Sequence, residues 1–218
     1  MPQTILADLT TGSTWKNIWH MSWPMLLVMF FNFLVGMTEI YVAGLLGPEI
    51  QAVAGFVGQL YFFTIIIANA IGIGAVAILS RAVGSGRIDD ALSSAREALI
   101  FGGACALLLT IPGFIFRDLI ISLAGFSGDI RDTAADFFII YVFALAPNYM
   151  VILSNAVFRA GGDVRLTMTA MFLVSLLNIV LDFLLVFGIF SFDGFGYRGI
   201  ALAAAISMTA GTIICFML

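Results

Sequence analysis

Long apolar stretches with very few charges run through most of this 218-residue chain. Hydrophobic residues make up 62% of it and charged residues only 10%, whereas a soluble domain carries about 25% charged residues. So few charges cannot cover a soluble globule with polar surface. A helix that spans a bilayer needs about 20 apolar residues, and six such helices with short connections fit this length. The sequence therefore predicts an all-α, polytopic membrane helix bundle.

Turns rich in glycine, proline and charged residues separate the apolar stretches. We predict spanning helices at residues 19–46, 51–83, 98–116, 137–158, 166–190 and 199–218. Residues 88–97 are interpreted as an amphipathic lead-in to the third span, because Asp89 and Asp90 suit a helix N-terminus. Residues 114–124 are interpreted as a short interfacial piece. We expect the whole chain, 1–218, to be one membrane domain.

The positions of lysine and arginine predict the orientation. Loops on the cytoplasmic side of a membrane protein are enriched in these residues. With a cytoplasmic N-terminus, six of the nine fall on the inside, namely Lys16, Arg81, Arg87, Arg96, Arg159 and Arg165. The outside segments hold Arg117, Arg131 and Arg198. We therefore expect a multi-pass protein of the cell (inner) membrane with its N-terminus in the cytoplasm.

Several functional classes are disfavoured by what the sequence contains. Its basic residues are spread over many loops, whereas nucleic-acid binding needs them clustered. The two cysteines, Cys105 and Cys215, lie in apolar runs, which is typical of unpaired buried thiols. A membrane-embedded enzyme is the alternative class, but the only histidine, His20, lies near the predicted inner interface and cannot alone build a metal site. We expect no enzyme activity, no cofactor and no nucleic-acid partner.

Two acidic residues, Glu39 and Asp182, lie deep within predicted spans. A charged acid at the bilayer centre costs about 2.5–3.5 kcal/mol on insertion scales, so such residues usually face an aqueous cavity or a partner. The first and fifth spans run in the same direction. Both acids then lie about 10–12 Å below the outer ends of their helices. At one level on two helices, they can share one cavity.

Amides accompany both acids. Asn178 precedes Asp182 by four residues and Asn32 precedes Glu39 by seven, so each pair shares a helix face. An amide oxygen beside a carboxylate can bind a hard cation or pair with a protonated acid. A proton or cation site is one interpretation. The other is structural, with a protonated acid hydrogen-bonded to a neighbouring hydroxyl to hold the helices together. Pro24 is either a hinge or a simple kink.

Five short segments resemble a known family in their order and spacing. They are Trp23-Pro24 with 37–47, then 77–86, 158–163, 178–188 and 199–205. Together they resemble the N-terminal six-helix lobe of a multidrug and toxic compound extrusion (MATE) transporter. The resemblance implies a secondary active antiporter that exports cationic drugs or toxic organic compounds in exchange for H⁺ or Na⁺. Flippases of lipid-linked oligosaccharides share the architecture and are the alternative.

The resemblance also implies a site. Glu39, Asn178 and Asp182 occupy the positions of the family's ion- or proton-coupling residues, with Asn32 and Pro24 as accessory residues and no metal beyond a Na⁺ ion at the same site. This sequence departs from the family pattern twice. The first-helix acid is usually an aspartate, and Ala204 stands where a threonine is often found. Fewer hydroxyl ligands favour protons slightly over a fixed Na⁺ ion.

The chain has the length of one lobe, whereas the family has two. We therefore expect it to be part of a two-lobe transporter whose second lobe is absent from this chain. The expected partners are a small-molecule, cationic substrate, the lipid bilayer and that second lobe, which is either further along the same polypeptide or a separate chain.

Overall fold

Seven helices make up the described part of a computed structural model of this chain, which covers residues 13–126, 128–188 and 193–218. They are α1 (Thr14–Leu46), α2 (Pro48–Gly84), α3 (Ile88–Ile115), α4 (Arg117–Leu123), α5 (Asp129–Ala160), α6 (Val164–Phe187) and α7 (Tyr197–Met217). All except α4 are long and apolar enough to cross a membrane. The described residues contain no strand. The prediction of an all-α bundle with six spanning helices is therefore confirmed.

Several helix boundaries differ from the predicted spans. The lead-in at 88–97 is continuous with the third span, because two aspartates in the first turn of α3 stabilise its N-terminal end. Of the short piece expected at 114–124, residues 114 and 115 belong to α3, and residues 117–123 form the separate short helix α4. The fifth span was expected to end at Phe190, which lies outside the described residues. The described helix α6 ends at Phe187.

Glycine ends two of the long helices in the same way. At the end of α2, Gly86 (φ 73°) donates to the Val83 carbonyl and Arg87 donates to the Ala82 carbonyl. The equivalent two hydrogen bonds end α5, where Gly162 (φ 83°) donates to the Arg159 carbonyl and Asp163 donates to the Phe158 carbonyl. This is the Schellman motif, which needs a left-handed residue and therefore favours glycine. The Asp163 carboxylate then accepts hydrogen bonds from the first backbone N–H groups of α6.

Helix α5 lies at the centre of the bundle. Sixteen of its residues are buried, compared with four in α1. It packs against α2, α3 and α7, while α1 packs mainly against α6. We call the end of the bundle that holds the α2–α3 and α5–α6 turns the Ser85 end, and the opposite end the Gly47 end. Helices α1 and α3, with four and three buried residues, are the least enclosed of the long helices.

Close contact between α6 and α7 fixes the Gly47 end. A Cβ atom on Gly199 would lie 2.6 Å from the carbonyl carbon of Leu185, so only glycine permits this approach of the two backbones. Side chains from five long helices and α4 form the core here, including Val53, Ile121, Phe137, Val186 and Ile200. Helix α6, which carries Asn178 and Asp182, is thus held closely against α7.

Candidate functional site

A polar cavity of about 580 Å³ lies between α1, α2, α5, α6 and α7. Its lining mixes apolar side chains with hydroxyl, amide and charged groups. The polar members are Asn32, Glu39, Tyr61, Asn69, Tyr141, Asn148, Asn155, Arg159 and Thr167. Ligand sites in proteins are commonly of this size and carry a few polar groups among apolar ones. In a membrane bundle, so many polar side chains on one surface indicate a path for a solute.

Glu39 lies in the wall of this cavity and is half-buried. The Tyr141 hydroxyl donates to its Oε2 over 3.4 Å. The ring of Tyr141 contacts that of Tyr61 edge-on, with ring centres 4.9 Å apart. Asn148 in turn donates to the Tyr61 hydroxyl over 2.6 Å. Two hydrogen bonds and one aromatic contact therefore connect Glu39 through Tyr141 and Tyr61 to Asn148.

Asn178 and Asp182 lie behind the cavity, and both are completely buried. The Asn178 amide nitrogen donates to the Ser207 hydroxyl on α7 over 3.2 Å. The Ser207 hydroxyl donates a hydrogen bond to the Ala204 carbonyl oxygen over 3.0 Å. Neither Asn178 nor Asp182 lines the cavity. The two α6 side chains thus form a separate, inner compartment.

Four oxygen atoms of this inner compartment have no hydrogen-bond partner among the described residues. They are both carboxylate oxygens of Asp182, the amide oxygen of Asn178 and the hydroxyl of Ser175. All three residues share one face of α6, since they are spaced three and four residues apart. Buried polar atoms in proteins normally have partners, so each exception needs an explanation. A proton on Asp182 or a hard cation held by these oxygens would supply one.

The cavity and the inner compartment meet at Glu39. This residue lies close enough to Asn178 and Asp182 to interact with both electrostatically. The contact between Phe31 and Phe172, with ring centres 5.3 Å apart, shows how α1 and α6 are aligned side by side. The structure therefore brings together the two acids that the sequence placed at one level on two parallel helices, with Asn178 beside them.

The accessory residues lie farther along α1 from the acidic site. Asn32 lines the same cavity as Glu39, seven residues earlier in α1, and is exposed. Pro24 is buried within α1, further towards the Ser85 end. Ala204 lines the cavity, where a threonine was the family expectation. One turn later, Ser207 supplies the hydroxyl that Ala204 lacks.

Sequence reasoning missed three residues of this site: Tyr141, Ser175 and Ser207. Ser175 carried a usable signal, because it precedes Asp182 by seven residues and so lies on the same helix face. Tyr141 and Ser207 contact the site from other helices, and nothing in their spacing connects them to Glu39 or Asn178. Within the described ranges, no group of three or more His, Cys, Asp or Glu residues could hold a metal ion.

Comparison with known families agrees with this geometry. The family model named MatE matches residues 24–184, which include most of the cavity and the whole acidic site. The chain belongs to the MatE family. Members of this family are transporters rather than enzymes, and they need no cofactor, so the alternative of a membrane-embedded enzyme is excluded.

Curated relatives of this MatE chain carry several kinds of name. The "Probable multidrug resistance protein NorM" of Thermotoga maritima is 24% identical over 90% of this chain and 42% of its own length. The "FAD transporter" of Shewanella oneidensis is 26% identical over 86% of this chain and 42% of its own length. The chain spans less than half the length of these relatives.

A solved structure of a transporter of the MOP superfamily from Pyrococcus furiosus has the same fold. It superposes on 97% of this MatE chain with a TM-score of 0.88 and 26% identity, and the match covers 46% of that protein. The chain is therefore a multi-pass membrane protein of a transporter family and corresponds to one lobe. This fits the expectation of an N-terminal lobe.

Proposed function

We propose that the chain is the N-terminal lobe of a secondary active antiporter that exports cationic drugs or other toxic organic compounds in exchange for H⁺ or Na⁺. The observation that carries this proposal is the pair of acids. Glu39 faces a cavity large enough for an organic molecule, and Asp182 lies buried behind it within electrostatic range. Antiport requires a site that can bind both the substrate and the coupling ion.

Exchange follows from competition for negative charge. When both acids are ionised, they repel each other and favour an organic cation beside Glu39 in the cavity. When a proton or Na⁺ neutralises Asp182, the charge of the pair falls and the attraction for the organic cation weakens. Inward movement of the ion would then release the substrate on the outside. Each ligand lowers the affinity for the other, as linkage requires.

The oxygen atoms available support either ion. Na⁺ is a hard cation that prefers oxygen ligands, and the unpaired oxygens of Asp182, Asn178 and Ser175 provide four. The same buried carboxyl, which has no basic side chain paired to it in the described part of the chain, is equally suited to hold a proton. Ala204 replaces a threonine whose hydroxyl could bind Na⁺. The hydroxyl of Ser207 offsets part of that loss of an oxygen ligand.

Pro24 is proposed to assist by weakening α1. A proline inside a helix removes one backbone hydrogen bond and bends the helix. Helix α1 carries Glu39, has few buried residues and contains Pro24. A change of charge at Glu39 could therefore move α1 relative to the rest of the bundle.

Export of FAD is a second candidate. A relative named "FAD transporter" is as similar to this chain as the multidrug resistance proteins are. The polar amides that line the cavity could contact a dinucleotide as well as a drug. Transport assays with both classes of solute decide between the two.

The orientation and the second lobe belong to the same proposal. We infer an inner-membrane protein whose Ser85 end faces the cytoplasm. Cysteines introduced singly at Ser85 and Asp129, in a chain that lacks Cys105 and Cys215, should react from opposite sides of the membrane. An impermeant reagent outside intact cells should label only the Asp129 position. Labelling of Ser85 from outside would contradict this orientation.

Reconstituted transport tests the function. We expect the complete two-lobe protein in liposomes to export tetramethylrhodamine methyl ester, a permanent organic cation, only when a gradient of H⁺ or Na⁺ is imposed. This chain alone should give no transport until a second lobe is supplied, because a single lobe forms only one wall of the path. Transport of the methyl ester without an ion gradient, or transport of FAD but not of the methyl ester, would contradict the drug-antiporter assignment.

A further inference from the structure

One arginine of the cavity has no charged partner. Arg159, in the last turn of α5, lines the cavity near its Ser85 end and is half-buried. Its guanidinium forms no ion pair and no hydrogen bond with any side chain in the described ranges. A charge withdrawn from water is costly unless it is paired. Such a group within a membrane bundle indicates a functional site.

The arginines that do form ion pairs provide a contrast. Arg87, Arg117 and Arg198 each contact a nearby aspartate, and all three ion pairs lie at the protein surface. Such surface pairs contribute little to stability. Arg159, which lines the cavity, has no such carboxylate partner among the described residues.

A second unpaired group lies one helical turn away. Asn155 precedes Arg159 by four residues, so the two side chains share a face of α5. Asn155 lines the cavity and is only 5% exposed, and its Oδ1 atom has no hydrogen-bond partner among the described residues. The backbone carbonyl of Asn155 accepts from the buried hydroxyl of Thr167 over 3.4 Å, which holds α5 against α6 here.

Glu39 is too far away to neutralise this arginine. Tyr141, which bonds to Glu39, lies eighteen residues before Arg159 on the same helix. That separation corresponds to about 27 Å along the helix axis. The cavity therefore carries a carboxyl group towards its Gly47 end and a guanidinium at its Ser85 end.

We propose that the Ser85 end of the cavity binds an anionic group of the transported molecule, a carboxylate or a phosphate. Arg159 holds the two oxygens of that group with its planar fork, and the Asn155 oxygen accepts a hydrogen bond from an N–H or O–H beside it. Molecules that carry both a cationic and an anionic group are then preferred over simple cations. This inference rests on the proposed function, because it takes the cavity to be the substrate path.

A matched pair of dyes tests the proposal. Tetramethylrhodamine has a free carboxylate, and its methyl ester has the same cationic ring system without the acid. Binding of each dye to the purified complete transporter is measured by fluorescence anisotropy in nanodiscs of phosphatidylcholine. No ion gradient is present, so a failure of ion coupling would leave this result interpretable.

We expect the wild-type protein to bind the acid more tightly than the ester. Arg159→Gln should weaken binding of the acid about tenfold or more, as expected for loss of a charge-assisted hydrogen bond, and change binding of the ester less than twofold (about 0.4 kcal/mol). Arg159→Lys should restore part of the loss. Arg165→Gln removes an exposed arginine from the next helix and should affect neither dye.

Three results would overturn the proposal. The first is no preference of the wild type for the acid, including failure to bind it. The second is an equal loss of both dyes in Arg159→Gln, which would mean that the arginine supports the structure or pairs with the second lobe. The third is displacement of the acid by phosphatidylglycerol in the discs in the wild type but not in Arg159→Gln. That result would assign the guanidinium to a lipid headgroup.

Discussion

The two acids of this lobe lie close together but in unlike surroundings. Glu39 is half-buried, faces the cavity and accepts a hydrogen bond from Tyr141. Asp182 is completely buried, lies off the cavity and has no hydrogen-bond partner among the described residues. One carboxyl group can therefore be reached by an organic molecule, and the other only by a proton or a small ion.

This difference divides the proposed work between the two residues. Asp182 would bind the coupling ion, because its oxygens are unpaired and enclosed. Glu39 would transmit the charge of that ion to the cavity, because it interacts with Asp182 on one side and faces the cavity on the other. If the division is right, substitutions at the two acids should differ in size and in kind.

Removal of the buried charge should have the largest effect. Asp182→Asn keeps the size of the side chain but can neither release a proton nor neutralise Na⁺. We expect ion-coupled efflux by the complete transporter to fall to background, with expression near normal. Asp118→Asn, which changes an exposed aspartate on α4, is the matched control and should transport normally. Full efflux by Asp182→Asn with unchanged pH and Na⁺ dependence would make this acid structural.

Neutralising the cavity acid should have a smaller effect. Glu39→Gln retains Asp182 as the ion site but removes the charge that the organic cation meets. We expect affinity for a cationic substrate to fall about tenfold, the size of one interaction with a charged group. Part of the ion-driven transport should remain. Dose–response curves of efflux measure this, and an effect as complete as that of Asp182→Asn would show that the two acids act as one unit.

The hydroxyl groups of the inner compartment should tune the choice of ion. Ser175→Ala and Ser207→Ala each remove one oxygen near Asn178 and Asp182. If the site holds Na⁺, we expect each to raise the Na⁺ concentration for half-maximal transport by about two- to tenfold, the size of one net hydrogen bond. Proton-driven transport should change little. Thr169→Ala, which removes an exposed hydroxyl from α6, is the control.

Loss of the Tyr141 hydroxyl should have the smallest effect. Its contact with Glu39 is long, at 3.4 Å, and hydrogen bonds of this length are weak. We expect Tyr141→Phe to lower transport by about twofold, with the ring still packed on Tyr61. A loss as large as that of Glu39→Gln would mean that Tyr141 itself carries the proton.

The sequence predicted the helices and the acidic pair because both depend on local spacing. Long apolar stretches specify spanning helices, and parallel first and fifth spans place Glu39 and Asp182 at one level. Helix periodicity also placed Asn178 beside Asp182. These predictions needed only the rise and repeat of an α-helix and the turns that glycine and proline mark.

Features that depend on packing between distant helices could not be predicted in this way. The burial of Asp182 outside the cavity follows from how α1, α6 and α7 pack together, and so does the contact of Ser207 with Asn178. The hydrogen bond from Tyr141 to Glu39 joins residues 102 positions apart. The unpaired state of Arg159 likewise appears only when the walls of the cavity are assembled.

Competition between ion and substrate is the central claim, and one binding experiment tests it directly. Affinity of the purified complete transporter for tetramethylrhodamine methyl ester is measured at increasing H⁺ and, separately, increasing Na⁺, with an impermeant organic cation keeping ionic strength constant. We expect one of the two ions to weaken binding in the wild type and to have no effect in Asp182→Asn. Affinity that is independent of both ions in the wild type, or equally dependent in Asp182→Asn, would contradict the account.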